Sequence, residues 1–335
     1  MKLFLKTVFR FLLIGIPALV CLLVGYLYFD PFKVVKPYKC YSNFHIITNR
    51  EYISTEKFLY NRSRHPYNSF VFGSSRTIAF RANSWLRHLN AADVPFYFDA
   101  SAENLYGIYT KLRFLDSLHQ KIANALVLLD VDHSFSPSID SLGHLYIRHP
   151  LLSGNPKFDY QYSFLKAYLQ PKFLVSYYAY IHDNKYRPFM KNILAEKSIV
   201  YDSISNEIDL QESEHEIRTD SIKFYSKLKD VLYNRGGGPA ETSAKIKGQY
   251  LFMLDSICHF FERNHTNFKV IISPAYDEGK FSKEDMNTLK VKFKSRLYDF
   301  SGRNYFTEDK GHYYETNHFR PLVGDSILNI VYNDR

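Results

Sequence analysis

The chain has 335 residues, 46% of them apolar, which is enough for one large domain or two modest domains with a filled core. Its formal net charge of +9 is small for this length, and the Lys and Arg residues are interspersed with Asp and Glu. The sequence has no dense basic cluster and no Cys/His grouping with zinc-site spacing, so we expect neither nucleic acid nor a structural metal as a ligand. The basic excess favours a surface that faces anionic lipid or acidic glycan, with an ordinary solvated face as the alternative.

The N-terminus has the composition of a membrane anchor. Residues 11–29 are uncharged, and as a helix they would rise about 28 Å, close to the hydrocarbon thickness of a bilayer. Lys2, Lys6 and Arg10 precede this stretch and Asp30 follows it, so the positive-inside rule predicts a cytoplasmic N-terminus and an exported domain. A cleaved signal peptide is the alternative, but its apolar region is usually shorter. We expect 1–29 to be a signal anchor of a single-pass protein whose domain is periplasmic or at the cell surface.

The rest of the chain alternates between strand and helix patterns. Residues 30–66 contain several prolines and predict an extended juxtamembrane stalk that then packs against the domain. After it, strands are predicted at 69–72, 94–98, 125–129, 268–272 and 304–306, and helices at about 75–89, 102–121, 242–263, 282–298 and 321–331. This alternation predicts a three-layer α/β/α fold over 67–335, with a mostly parallel five-stranded sheet.

One region interrupts the alternation. Residues from about 135 to 240 contain aromatic helical stretches and end in the glycine-rich run 236–239, which indicates a hinge or loop. We interpret the region as a helical insertion on the sheet that covers the site as a lid. The cysteines are Cys21, Cys40 and Cys258, and the last two can pair only if folding brings them together.

A serine turn follows the first predicted strand. Gly73, Ser74 and Ser75 end the apolar run 69–72, and Arg76 opens the next helical pattern. A serine there lies at the carboxyl edge of the sheet, where open α/β folds bind ligands. The free N–H groups of a helix N-terminus favour a developing oxyanion. The simpler interpretation is a serine N-cap after a buried strand.

A carboxylate and a histidine precede the last predicted helix. Glu315 lies three residues before His318 in what reads as a loop. From this spacing the carboxylate can orient the imidazole through Nδ1–H, which leaves Nε2 to accept a proton from a serine hydroxyl. Serine is a poor nucleophile without such a base, so the two groups require each other. A surface histidine with no catalytic role is the alternative.

The order of these residues resembles that of the SGNH (GDSL-type) hydrolases, and more narrowly their membrane-anchored group whose first block reads G-S-S-R or G-T-S. Ser75 matches the nucleophile, and Ser74 stands where many members have aspartate. The last block, usually D-x-x-H, matches Glu315 and His318. The resemblance covers about 69–331 except the insertion. It implies a flavodoxin-like SGNH fold and acyl transfer through serine, which needs no cofactor.

The middle blocks of the family match less well. The second block supplies an oxyanion N–H from a glycine after the second strand, and here that place reads 99–101. A backbone N–H does not need glycine, so Ser101 or its neighbour can still supply the donor. The third block, usually G-x-N-D, puts Asp132 at the position of the asparagine donor. An ionised carboxylate cannot donate, and loss of one such donor typically costs about 2.7–4 kcal/mol of barrier. Similar departures occur in relatives that act on envelope polysaccharides, including alginate O-acetylation proteins and D-alanylation proteins of teichoic acid.

Two arginines flank the expected catalytic groups. Arg76 follows Ser75, and Arg320 lies two residues after His318. Either arginine can bind an anionic glycan or acyl carrier, or pair with a nearby carboxylate and shape the loops, and we favour the structural role for Arg76. The candidate groups are therefore the catalytic Ser75, His318 and Glu315, and the oxyanion or substrate-binding Ser101, Asp132 and Arg76.

These patterns predict a serine-dependent esterase or O-acyltransferase acting on an exported cell-envelope glycan through an acyl-enzyme. The alternative is a non-catalytic, membrane-anchored protein of the same fold that binds glycan or scaffolds an export or modification complex. Lipid hydrolysis near the membrane is a third hypothesis, which the aromatic insertion would suit.

Overall fold

The computed structural model describes residues 2–42, 44–137, 143–236 and 240–333. Most of the expected glycine hinge, residues 237–239, lies outside the described residues, as do 138–142 of the expected insertion.

The strands, numbered in chain order, are β1 (Phe44–Ile46), β2 (Ser69–Phe72), β3 (Pro95–Tyr97), β4 (Asn124–Leu129), β5 (Leu194–Ile199), β6 (Asn267–Ile272), β7 (Leu297–Asp299), β8 (Tyr313–Glu315) and β9 (His318–Phe319). The α-helices are α1 (Lys2–Phe29), α2 (Arg50–Asn61), α3 (Ala82–Leu86), α4 (Leu105–Ser117), α5 (Pro150–Ser153), α6 (Lys157–Tyr168), α7 (Pro171–Asp183), α8 (Gln211–Thr219), α9 (Ser221–Ser226), α10 (Gln249–Arg263), α11 (Lys283–Phe293), α12 (Tyr305–Glu308) and α13 (Pro321–Asn333).

The central sheet has five parallel strands in the order β3-β2-β4-β6-β7. This confirms the expected α/β fold and the five-stranded parallel sheet. Strand β4 is buried at all six positions, as expected for a strand covered on both faces. The chain leaves β2 towards β3 on one side and later returns to β4 on the other. The carboxyl ends of β2 and β4 therefore border a topological switch point, where sheets of this kind bind ligands.

Helices cover both faces of the sheet. On one face, α4, α10 and α11 pack through Leu112, Leu254 and Leu289 into a cluster with alternate strand residues such as Val127. On the other face, α3 and α13 pack around Trp85 and Ile327. Because the sheet is fixed from both sides, the ends of its strands form a rigid base for the loops that follow them.

The predicted strand at 304–306 is wrong. Asn304 instead begins α12: its side chain accepts the N–H of Phe306, and its own N–H donates to the hydroxyl of Thr307 at 2.9 Å. This capping box stabilises a helical turn in a short aromatic segment. The fifth strand is β7, which the sequence pattern had assigned to the end of a helix, and its pairing of Leu297 with Val270 completes the sheet edge.

Several predicted helices are shorter than expected. The helix after Ser75 is a 3₁₀-helix (Ser75–Ala79) followed by α3, and α10 begins at Gln249 rather than near residue 242. Ser282 is the N-cap of α11, with its hydroxyl accepting the N–H of Asp285 at 3.1 Å. The Asp285 carboxylate does not close a capping box but accepts two N–H groups of the preceding loop, from Lys245 and Ile246.

The proline pattern predicted an extended stalk over residues 30–66, but the structure differs from this prediction. These residues contain the buried helix α2, and strand β1 pairs antiparallel with β5 of the insertion. Side chains from this segment, including Phe32 and Tyr41, form a third hydrophobic cluster with Phe164 and Tyr168 of α6 and Phe173 of α7. The segment and the helices of the insertion therefore share one core beside the sheet.

Helix α1 covers the stretch expected to be a membrane anchor. Its side chains that the structure describes include exposed Phe4, Leu13, Leu19, Val24 and Leu27. Among the helices of the described residues, none combines the length and the apolar character required to cross a bilayer.

Candidate active site

A strained turn presents Ser75 at the end of β2. Gly73 has a φ of +150°, and a Cβ atom at this position would lie 2.8 Å from Cβ of Leu128 on β4, so only glycine fits without displacement. Ser74 is the N-cap of the following 3₁₀-helix, and its Oγ accepts the N–H of Arg76 at 3.2 Å. Ser75 is the first residue of that helix, so its own N–H has no acceptor within the helix. The structure therefore separates the two serines: Ser74 caps the helix, and Ser75 points to the base.

The Glu315–His318 segment is a β-hairpin rather than the irregular loop that we expected. Glu315 on β8 and His318 on β9 are cross-strand partners. The Glu315 carboxylate accepts the His318 Nδ1–H through Oε1, and the N–H of Asn317 through Oε2 at 2.9 Å. Nε2 of His318 lies 2.8 Å from Oγ of Ser75. With Nδ1 protonated toward the carboxylate, Nε2 is the acceptor of the Ser75 proton.

The environment keeps the Glu315 carboxylate ionised. Burial acts to raise its pKa, but the hydrogen bond and charge of His318, the N–H of Asn317 and the more distant Arg76 outweigh burial and lower the pKa below its usual value. The side chains of His318 and Glu315 are still 29% and 30% exposed. The three groups therefore form a hydrogen-bonded Ser–His–Glu chain that solvent can reach.

Arg76 connects this turn with two other loops. Its guanidinium binds the Asp132 carboxylate through two hydrogen bonds of 2.7 and 3.0 Å, and Nη1 lies 3.1 Å from Oδ1 of Asp130. Its Nε–H donates to the carbonyl of Asn317, in the turn between Glu315 and His318, at 3.0 Å. Because Arg76 is only 4% exposed and all these contacts are within the protein, the geometry favours the structural role over binding of an anionic ligand.

The negative charge of the Asp132 carboxylate is balanced by basic neighbours. Burial acts to raise its pKa, but the hydrogen bonds and charge of Arg76, together with His133, lower the pKa. Nε2 of His133 is 3.2 Å from the same carboxylate. Asp132 is therefore ionised and cannot donate to an oxyanion, yet its negative charge is balanced by Arg76.

The structure does not bring Ser101 into contact with the triad. It lies in the turn after β3, and no hydrogen bond between described residues joins it to Ser75, His318 or Glu315. The preceding Ala100 N–H is already used, because it donates to the carbonyl of Gly73 at 3.2 Å. Ser101 as an oxyanion donor remains a prediction.

The carboxylate of Asp99, at the end of the second predicted strand, does not pair with Arg76 and belongs to a different buried group. It accepts hydrogen bonds from Arg50 of α2 and from the hydroxyl of Thr77. Helix α2 is thereby attached to the end of β3, directly behind the Ser75 turn.

The insertion contributes a residue that sequence reasoning missed. Glu214 of α8 forms two hydrogen bonds with Arg320, of 2.9 and 2.8 Å, and accepts the hydroxyl of Tyr314 at 2.6 Å. Arg320 is thus a structural partner of the insertion. Because Glu214 lies 106 residues from Arg320 in the chain, no local pattern could have indicated the pair.

The remaining candidate chemistry is limited. All three cysteines are free, so Cys40 and Cys258 do not pair, and burial raises the pKa of the Cys258 thiol to about 11. Among the described residues, no group of three or more His, Cys, Asp or Glu side chains is arranged to hold a metal ion.

Comparison with known proteins adds no assignment: no protein-family model matches the chain, and no curated protein sequence matches it significantly.

Proposed function

We propose that the chain is a serine-dependent esterase or O-acyltransferase of the SGNH type. The observation that carries the proposal is the 2.8 Å contact between Oγ of Ser75 and Nε2 of His318, whose other nitrogen is bound by Glu315. A histidine oriented in this way by a carboxylate can remove the proton of a serine hydroxyl. The order of the strands and the position of Ser75 at the switch point agree with a flavodoxin-like fold.

The proposed reaction proceeds in two steps. Oγ of Ser75 attacks an ester carbonyl while His318 takes its proton; the bond to the leaving alcohol breaks, and His318 returns the proton to that alcohol. Water or a sugar hydroxyl then attacks the acyl-serine while His318 takes its proton; the bond between the acyl carbon and Oγ breaks, His318 returns the proton to Oγ of Ser75, and the acid or the transferred ester is released. The N–H of Ser75, at the first position of its helix, is the donor we assign to the oxyanion.

The proposed substrate class is an exported cell-envelope glycan or related polymer, with the chain anchored in the membrane through 11–29. The support is the uncharged stretch flanked by Lys2, Lys6 and Arg10, and the exposed apolar side chains along α1. The side chains of His318, Glu315 and the nearby Asp132 are 29%, 30% and 39% exposed, which suits an open surface that receives a polymer rather than a closed pocket.

The experiment that tests the activity uses the full chain in detergent and a fluorophosphonate probe. We expect the parent to be labelled and the Ser75→Ala and His318→Ala variants to lose labelling. Ser74→Ala is the matched control: loss of this cap costs about 1 kcal/mol of stability but leaves the nucleophile in place, so labelling persists. Labelling that survives Ser75→Ala would refute Ser75 as the nucleophile.

The second candidate function is a non-catalytic protein of the same fold that binds glycan or scaffolds an export complex. It is favoured by Asp132, an ionised carboxylate where an amide donor would be expected, and by the absence of a described contact between Ser101 and the triad. A folded parent that is not labelled would support this function, and binding of the full chain to envelope glycans would then be measured.

A further inference from the structure

Helices α6 and α7 expose an apolar surface. Their inward faces pack into the third hydrophobic cluster through Phe164, Tyr168, Phe173 and Tyr177. Outward, they present five large apolar side chains, which we call the α6–α7 surface: Phe158, Tyr162, Val175, Tyr178 and Ile181. Their exposed fractions are 76%, 56%, 61%, 37% and 40%, respectively. Solitary exposed apolar residues are ordinary, but five on two helices that pack against each other indicate an interaction surface.

The spacing places these side chains together on each helix. Phe158 and Tyr162 are four residues apart, and their rings stack with centroids 6.2 Å from each other. Val175, Tyr178 and Ile181 follow at intervals of three residues, which keeps them along one side of α7.

This surface is continuous with the end of α1. The ring of Phe29, the last residue of α1, lies 6.2 Å from the ring of Tyr178. One turn earlier, a Cβ atom at Gly25 would lie 2.8 Å from Oη of Tyr178, so the glycine allows α7 to approach the helix closely. The apolar surface of α7 therefore begins where the apolar surface of α1 ends.

The same part of the chain carries most of the net positive charge. Segments 30–42 and 150–191 contain nine Lys and Arg residues and three Asp residues, a net charge of +6 of the +9 in the whole chain. One of the three aspartates, Asp30, is buried and accepts the N–H groups of Val34, Val35 and Lys36. Basic side chains around exposed aromatic residues are the pattern of a surface that lies in the headgroup region of an anionic bilayer.

We propose that the α6–α7 surface binds the headgroup region of an anionic membrane next to α1, so that the domain lies on the bilayer instead of standing above it on a stalk. The proposal rests on the membrane anchor proposed above. As a consequence, the domain has a fixed orientation relative to the bilayer, because it contacts the membrane both through α1 and through the insertion helices. A single anchor would leave the domain free to tilt. The triad would then work at a fixed height above the membrane.

The test uses tryptophan fluorescence of the full chain in vesicles whose phosphatidylcholine carries brominated acyl chains, with and without phosphatidylglycerol. The native Trp85 is fully buried and gives a constant background. Phe158→Trp reports the α6–α7 surface, and Leu19→Trp reports the anchor. Val291→Trp is the matched control, because Val291 is 70% exposed on α11, which contacts β7 at the edge of the sheet opposite β3.

We expect emission from the Phe158→Trp variant to be quenched several-fold more strongly than emission from the Val291→Trp variant. Combining Phe158→Trp with Lys157→Gln, Lys166→Gln and Lys172→Gln, or omitting phosphatidylglycerol, should weaken this quenching and leave that of Leu19→Trp unchanged.

Quenching of Leu19→Trp without quenching of Phe158→Trp would overturn the surface and leave the anchor in place, and quenching of neither would overturn both. An emission of Phe158→Trp that shifts with protein concentration and not with lipid would assign the surface to a second copy of the chain, and would overturn the lipid proposal. None of these measurements depends on the activity of Ser75, so they are independent of the labelling experiment.

Discussion

Arg76 joins three loops that carry the site. Through Asp130 and Asp132 it holds the loop after β4, and through the carbonyl of Asn317 it holds the turn of the hairpin. The residue next to the proposed nucleophile therefore also fixes the segment that carries the proposed base. A planar guanidinium can satisfy these three directions at once, whereas a lysine ammonium offers no such rigid fork.

At the same scale, Glu315 is expected to act through its charge. Replacing it by glutamine keeps the size of the side chain but removes the carboxylate that orients His318 and stabilises its protonated form. We expect the rate of fluorophosphonate labelling of Ser75 to fall on the order of 10²–10⁴-fold. Labelling kinetics of Glu315→Gln measure this effect.

The matched control is Asn317→Ala in the same hairpin. Its contacts with Glu315 and Arg76 use the backbone N–H and carbonyl, which alanine retains, so its labelling should stay near that of the parent. If Glu315→Gln were labelled as fast as the parent, the carboxylate would have no role in orienting the base.

At the scale of elements, the site depends on how closely the Ser75 turn approaches β4. Strand β2 lies between β3 and β4, and the chain turns at Gly73 against the backbone and side chain of Leu128. The approach is possible because Gly73 has no Cβ and adopts a positive φ. The hairpin β8–β9 then sets the distance of His318 from the turn.

Gly73→Ala should therefore destabilise the fold and displace the nucleophile. The strained backbone and the contact with Leu128 together should cost about 2 kcal/mol or more of the free energy of unfolding, measured by denaturant titration. Fluorophosphonate labelling of the folded fraction should also fall.

Gly236→Ala is the control, because Gly236 has open space around it and no positive φ requirement. An unchanged free energy of unfolding in Gly73→Ala would show that the turn can relax, and would remove the packing argument.

At the scale of the whole molecule, the insertion is attached to the sheet domain by two glutamates. Glu214 of α8 binds Arg320 beside the triad. Glu207 accepts the N–H of Ala82, the first residue of α3, at 3.1 Å. Nearby, the carbonyl of Ser205 accepts the N–H of Tyr97, and the side-chain amide of Asn206 donates to the carbonyl of Tyr97. The insertion therefore covers the edge of β3.

Glu207 makes this attachment sensitive to pH. Burial is the largest cause that raises the pKa of Glu207 from 4.5 to about 7. Between these two values the unfolded chain loses the proton while the folded chain keeps it, so the contribution of Glu207 to stability is fully present below pH 4.5 and is lost as the pH rises through 7. The decrease at pH 8 should be about 1–3 kcal/mol, and Glu207→Gln should recover it, because the amide oxygen can still accept from Ala82.

Thermal unfolding from pH 5 to pH 8 measures this prediction. Glu207→Gln should flatten the decrease, and the exposed Glu196→Gln should leave it as in the parent. A Glu207→Gln variant that is no more stable than the parent at pH 8 would contradict the raised pKa of Glu207.

The sequence alone determined the elements whose physical causes are local. The fully apolar run of β4 predicted a strand buried on both faces, and four of the five sheet strands lie within one residue of their predicted limits. The candidate triad was selected by its order along the chain, with Ser75 after the first strand and Glu315 and His318 before the last helix, an order that resembles that of the SGNH hydrolases.

Only the tertiary structure decided what depends on distant partners. The strand at 297–299 depends on pairing with β6, and the helical turn that replaces the predicted strand at 304–306 depends on a capping box. Neither cause produces a periodic pattern of apolar residues in the sequence. The pairing of Arg76 with Asp130 and Asp132, and of Arg320 with Glu214, joins loops that are far apart in the chain. A sequence does not distinguish a charged residue that binds a ligand from one that pairs with another side chain. The two differ only in which groups the fold brings within hydrogen-bonding distance.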